Sequence, residues 1–179
     1  GILWPMRITA KIDYAVRGCL ELATTYDGGF VKAESVATAQ QIAAPFMLSI
    51  LGDLRGAGLV ESRRGADGGY RLARDPATIS VADVIRAIDG PLANIAGVQP
   101  EDVDYQGSSA HLRETWVALR VAMRTVLEHV TLADVASGDL PPAATDMLAK
   151  PDAWVTRPLP GAFPAAERSG QAAAGPSSW

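Results

Sequence analysis

The chain has a single cysteine, Cys19, among 179 residues. One thiol excludes an internal disulfide framework and any structural metal site built from several thiolates. Long apolar runs are missing too, and nothing approaches the roughly 18 uninterrupted apolar residues that a membrane span requires. The opening residues, GILWPM, lack the basic and apolar regions of a secretory signal. No nucleophile–base pair, metal-ligand set or phosphate-cradling loop is recognisable, so no catalytic residues are expected and the protein does not read as an enzyme. These absences point to a cytoplasmic protein. Basic charge is also in short supply, with 16 Lys and Arg against 20 Asp and Glu, a net charge of −4. Averaged over the chain, that balance argues against a nucleic-acid partner.

The charge is not evenly spread. Residues 6–73 hold eight basic side chains against seven acidic ones, a balance of +1, while the remainder carries −5. Arg63-Arg64 is the one adjacent basic pair. A phosphate-binding surface is therefore expected in the N-terminal half.

Periodicity supplies the elements. Ile8, Ile12, Val16, Cys19, Leu20 and Ala23 recur at helical spacing and predict a first helix over about 7–25, stopped by Asp27-Gly28-Gly29. A short second helix is expected over 34–41. A third begins near Pro45, where proline suits a first turn, and runs to Gly56 or Gly58 with Phe46, Ile50, Leu51 and Leu54 inward. Residues 59–64 then read as a strand, 65–69 as a glycine-rich turn and 70–72 as the returning strand of a β-hairpin. Three short helices and a hairpin are the order of a winged helix-turn-helix module, with helix three as reader and the hairpin as wing. The expected fold is mainly α with a small β-hairpin wing: a winged helix-turn-helix domain over 6–73 joined to a long dimerisation helix.

Beyond the wing, Ser80 caps a helix with Asp83 three residues on, and Asp89-Gly90-Pro91 ends it. Residues 92–109 show no period and read as a loop; loops of that length are often functional. Leu112, Trp116, Leu119, Met123, Val126 and Val130 step by four and three, a heptad seam on a helix over about 110–130 that Val117, Val121 and Leu127 widen. So broad an apolar face needs cover, from the N-terminal lobe on one side and a second copy of the helix on the other. Thr131 to Val135 reads as a short capped helix. Residues 74–140 are thus expected to form a helical dimerisation and sensor region. Residues 141–179, rich in Pro, Ala and Gly, are expected to be a mostly disordered tail, and 1–5 to be a leftover of cloning ahead of a natural start at Met6. Trp154 and Trp179 are either chance exposures or partner contacts.

The segments MRITAKIDYAVRGCLELA, LGDLRGAGLVESRRGADGGYRLA, ISVADVIRAIDGPL and VTLADV resemble the Rrf family of winged-helix transcription regulators over residues 6–138. The block 54–72 is the most specific part. The resemblance implies a homodimer made by crossing the long helices, and a transcriptional regulator, read as a repressor, that recognises a pseudo-palindromic site in double-stranded DNA. It implies Arg64, beside Gly65, as the wing residue that enters a narrow A·T-rich minor groove, with Arg63, Gly68 and Tyr70 alongside. Thr9, Lys11 and Tyr14 fall where members touch phosphate or brace the first helix, and Tyr14 reads rather as a core residue with a polar tip. The reading positions of helix three hold Ala43, Pro45, Leu48 and Ser49. Only Ser49 offers a side-chain hydrogen bond, which leaves Pro45 and Leu48 apolar contact with thymine methyls. A different operator and a larger share of shape readout follow. Arg55 either reaches phosphate or caps the helix end.

Many members hold an iron–sulfur cluster through three cysteines in the loop that corresponds to 92–109, and here that loop contains none. Cys19 reads as a small buried core residue. Asp13 matches a position where one member supplies a carboxylate ligand. His111 lies about two residues out of register with another ligand and reads as a surface histidine; His129 reads as structural. No metal and no cofactor are expected. Glu101, Asp102 and Asp104 form an acidic trio that reads as solvated. The signal is then a small-molecule effector or a protein partner; one cluster-free member, a cysteine-metabolism repressor, responds through a partner enzyme. The competing reading is a winged-helix protein–protein adaptor without specific DNA binding, which the apolar start of helix three and the net negative charge favour.

Overall fold

The computed structural model describes residues 8–157. The expected leftover at 1–5 and the end of the tail, Trp179 included, lie outside the described residues. The chain divides into two compact units between Thr145 and Asp146.

In the first unit, helix α1 (Ala10–Thr24) starts at Thr9, whose hydroxyl accepts the Ile12 N–H at 3.2 Å, satisfying one of the otherwise orphaned first-turn donors. It buries Ile12, Ala15, Gly18, Cys19 and Leu22. A Cβ at Gly18 would lie 3.0 Å from the Met47 sulfur, so the absence of a side chain lets α1 and α3 (Ala44–Gly56) approach closely. Between them α2 (Ala33–Ala39) buries Ala33, Val36 and Ala37. The turn from α2 to α3 passes through Gln41, a non-glycine residue at φ 55°. Arg17 of α1 ties that turn down: it donates to the Gln40 side chain at 3.3 Å and to the Gln40 carbonyl, and Gln40 donates to Glu21 at 2.9 Å.

One position expected inward, Phe46, faces out. The buried stripe of α3 is Met47, Ile50, Leu51 and Leu54, an i, i+3, i+4, i+7 face. Phe46 sits one residue, roughly 100° around the helix, from that face and is 65% exposed; Met47 fills the core instead.

Strands β1 (Val60–Arg63) and β2 (Gly69–Leu72) pair antiparallel, Val60 opposite Leu72 and Arg63 opposite Gly69. Val31, just before α2, adds a further bridge, its N–H donating to Tyr70 O at 2.9 Å and its carbonyl accepting from Tyr70 N at 2.7 Å. Gly69 has φ 148°, and a Cβ there would lie 2.3 Å from the Val31 carbonyl oxygen. That close approach admits only glycine.

Helix α4 (Val81–Asp89) opens on a capping box: Ser80 accepts from Asp83 N and the Asp83 carboxylate from Ser80 N. The following loop is not featureless. It holds single helical turns at Pro100–Asp102 and Gly107–Ser109 and a bridge between Ile95 and Val98. Helix α5 (Leu112–Leu127) and α6 (Leu132–Ser137) follow, the latter with a second capping box, Thr131 and Asp134. Helix α7 (Pro142–Leu148) was not expected, since its residues fell in the stretch read as disordered tail. Pro142 suits a first turn and Ala143-Ala144 propagate it, so local propensity outweighs the Pro-rich composition. In the second unit Trp154 is 81% exposed.

The main core joins α1, α2, α3, the hairpin, α4 and α6 through residues such as Leu22, Met47, Leu54, Leu72, Ile79, Val84 and Leu132. A smaller cluster of Ile12, Ala82, Ile85 and Leu92 receives Met123 and Leu127 of α5. Among the described residues no helix is long and apolar enough to cross a membrane.

Candidate nucleic-acid interface

The exposed side of α3 and the wing enclose an open groove of about 380 Å³, also bordered by the start of α2. Leu48 and Arg55 line it from α3; Arg63, Arg64 and Tyr70 line it from the hairpin; Lys32 lines it from α2. Five of the ten residues expected at a DNA surface therefore share one concavity.

Their states differ. Arg64 is exposed and makes no hydrogen bond or ion pair among the described residues, so its guanidinium is available to a ligand. Arg63 is engaged: it donates to the Asp67 carbonyl at 2.8 Å and lies over the Phe30 ring, 4.5 Å from its centroid. Arg71 covers the same ring at 4.8 Å and pairs with Glu61. Phe30 is thus held by two guanidiniums, cation–π contacts that fasten the hairpin to the chain before α2. Lys32 adds a bond from Nζ to the Gly65 carbonyl at 2.8 Å, anchoring the wing turn. Arg55 does not cap the helix end; its Nη1 donates to Ser62 Oγ at 3.2 Å, linking α3 to β1 on the side that borders the groove.

Gly68 is buried, its N–H donates to Gly65 O at 3.1 Å, and a Cβ there would lie 2.2 Å from the Arg63 carbonyl. Its part is to shape the turn rather than to present a contact. Tyr70 is half-buried, with its backbone spent on Val31. Pro45, Leu48 and Ser49 are exposed on α3, Leu48 at 51%. Thr9 and Lys11 lie at the other edge: Thr9 is the α1 cap, and Lys11 pairs with Asp53 of α3 at 2.9 Å, both side chains about half exposed. Such a surface pair contributes little and yields readily to a phosphate.

Sequence reasoning missed Phe30, Lys32 and the outward Phe46. Phe30 follows Gly28-Gly29 and looked like loop; the apolar pair Phe30-Val31 ahead of a lysine was the available sign.

On α5, Leu112, Trp116, Leu119, Met123 and Val126 are half-buried within a single chain. Val130, expected to close the seam on a helix running to 130, lies past the helix end and is buried, its carbonyl accepting from Val81 N at 2.9 Å. Met123 packs on the smaller core, and Trp116 Nε1 donates to Tyr105 OH at 3.2 Å. Val121, expected to widen the seam, lies on the opposite side of the helix and is exposed. Arg120 is almost fully buried and bonds Glu101 and, at 3.3 Å, Gln99 of the 92–109 loop. The Arg120 hydrogen bond holds the Glu101 carboxyl below the usual carboxylate range.

Residues 8–138 match the Rrf2 family, described as an iron-dependent transcriptional regulator. The chain is similar, at 50% identity over 136 residues, to an HTH-type transcriptional regulator of Mycobacterium tuberculosis, covering 76% of this chain and 84% of the relative. It is 33% identical over 132 residues to the HTH-type transcriptional regulator CymR of Bacillus subtilis, covering 74% and 91%. The solved structure of that global cysteine regulator superposes with a TM-score of 0.63 over 74% of this chain and 98% of the other. IscR of T. potens superposes at 0.61, with 31% identity over 75% and 88%.

The residues do not fit the iron of the family description. The 92–109 loop offers no thiol. Cys19 is fully buried on α1, and burial pushes its thiol up to about 12, so it stays protonated. No group of three or more His, Cys, Asp or Glu among the described residues is arranged to hold a metal ion.

Proposed function

The chain belongs to the Rrf2 family of transcriptional regulators, and on that footing we propose that it is a homodimeric repressor that binds a pseudo-palindromic operator without an iron–sulfur cluster. Its fold is the DNA-binding winged helix, and as a regulator it is not an enzyme. Each half-site receives α3 in the major groove and the wing in the adjacent minor groove. The observation that carries this reading is Arg64, unpaired at the tip of a wing that Lys32, Phe30 and Arg63 hold beside α3. A narrow A·T-rich minor groove concentrates negative potential and draws in such a guanidinium. Lys11, Arg55 and Thr9 border the same surface and supply phosphate contacts.

Dimerisation uses the part of the α5 seam that the chain itself leaves half-covered: Leu112, Leu119 and Val126. The 92–109 loop, pinned to α5 by Arg120, is the place where an effector acts. That effector is a small molecule or a protein, and the likeness to CymR, named as a global cysteine regulator, directs the search to cysteine supply. The setting is the cytoplasm.

A mobility-shift titration on a duplex enriched from a random pool tests the reading. Binding should weaken steeply with salt through counterion release, and Arg64→Ala should weaken it about tenfold. Unchanged affinity in that variant removes the wing from the mechanism. The exposed Phe46 and Leu48 would equally serve a protein–protein adaptor; the absence of any enriched duplex decides for that alternative.

A further inference from the structure

From the exposed face of α3 we infer that this regulator reads its operator through thymine methyl groups, gripped by Phe46 and Leu48, and not through a hydrogen-bond code. The inference rests on the DNA-binding reading above and adds the base chemistry.

The face is organised by helical period. With Met47, Ile50, Leu51 and Leu54 turned to the core, the middle of the outer side falls to Pro45, Ser49, Gly52 and Gly56. A Cβ at Gly52 or Gly56 would meet nothing within 4 Å, so this strip is low and open. Two large apolar side chains flank it. Leu48, 51% exposed, stands on the edge that faces the wing groove with Arg55. Phe46, 65% exposed, stands on the opposite edge, with Asp53, where Lys11 approaches.

A single exposed phenylalanine is ordinary, but Phe46 and Leu48 on one short helix make its outer face apolar. The charges around that face name an occupant. Lys11 lies beyond the Phe46 edge, and Arg55, Arg64 and Lys32 lie beyond the Leu48 edge. An apolar face with Lys11, paired to Asp53, beyond one edge, and with Arg55, Arg64 and Lys32 outnumbering Glu34 beyond the other, matches a major groove, whose floor carries base edges and whose walls carry phosphates. A low centre lets the helix sit close to that floor. Of the groups there, only the thymine C5-methyl is apolar, and it distinguishes T·A and A·T from the other pairs. Ser49 is the only side chain in the first two turns able to hydrogen-bond a base, and serine discriminates weakly.

The experiment uses the full chain and the duplex enriched from a random pool. Each thymine of a half-site is replaced in turn by deoxyuridine, which pairs identically and lacks only the methyl. At the contacted thymines affinity should fall roughly fourfold per methyl removed, the free energy of one buried CH₂-sized group. With Phe46→Ala or Leu48→Ala the affinity for the thymine duplex should fall, and the penalty for deoxyuridine at the position each touches should disappear. Both side chains are exposed, and an unchanged thermal melt confirms that the variants fold. If every deoxyuridine duplex binds as well as its parent while Arg64→Ala still weakens binding, the regulator stands and methyl readout is wrong. If no duplex is enriched, both readings fall.

Discussion

Single residues decide how the wing is built. Any Cβ at Gly69 would overlap the Val31 carbonyl oxygen, at 2.3 Å, and the residue sits at a φ that side chains rarely adopt. Gly69→Ala should therefore lose at least about 2 kcal/mol in urea unfolding, through strain that has no flexible neighbour to absorb it. Gly52→Ala is the control. It lies in a helix with open space around it and should be neutral or gain up to about 1 kcal/mol. Neither glycine could be ranked from sequence, because the distinction depends on which backbone passes opposite. Phe46 shows the same limit at one step of helical register. Pro45 announced the start of α3, but Phe46 and Met47 are both apolar and adjacent, and only the packing of Gly18 against Met47 shows which one turns inward.

At the scale of elements, what is local was legible and what is closed by distant partners was not. The capping boxes at Ser80 and Thr131, the glycine turn of the wing and the heptad step of α5 all involve residues a few places apart. The clamp of Phe30 by Arg63 and Arg71, the Lys32 bond to Gly65 and the Arg120 bond to Glu101 span far longer stretches and leave no periodic trace. The last of these governs the 92–109 loop. Arg120 depresses the Glu101 carboxyl, so the tether is present at neutral pH and is lost as pH falls through that depressed value, below the ordinary carboxylate range near about 4. Protection factors for amide exchange in residues 95–105, corrected for the intrinsic pH dependence of exchange, should fall on acidification below that range, while those of α1 and α3 hold. Glu101→Gln should show the faster exchange already at neutral pH. Equal exchange in variant and parent would mean that the loop is held by other contacts, such as Trp116 to Tyr105.

For the whole molecule, the net charge of −4 is an average over parts with different roles. The winged-helix segment carries only +1, so one protomer would hold DNA weakly, and the proposed pairing of protomers would multiply the effect. Leu119→Glu on the half-covered seam should therefore halve the mass seen in sedimentation, from about twice 18.8 kDa to a single chain, and abolish operator binding at concentrations that saturate the parent. Retention of both properties would place the dimer contact elsewhere on the molecule. The heptad step pointed to this helix, but how the seam divides between its own lobe and a second copy is a matter of tertiary packing. Met123 and Leu127 are already committed to the lobe.

The fastening of the wing carries a kinetic consequence. Phe30 between two guanidiniums, Val31 paired with Tyr70 and Lys32 on the turn carbonyl hold the hairpin in shape before any duplex arrives. The entropy of ordering that loop is settled during folding, so docking has no slow rearrangement to wait for. Encounter is then governed by collision and charge, and differences between operators appear in how long each complex lasts.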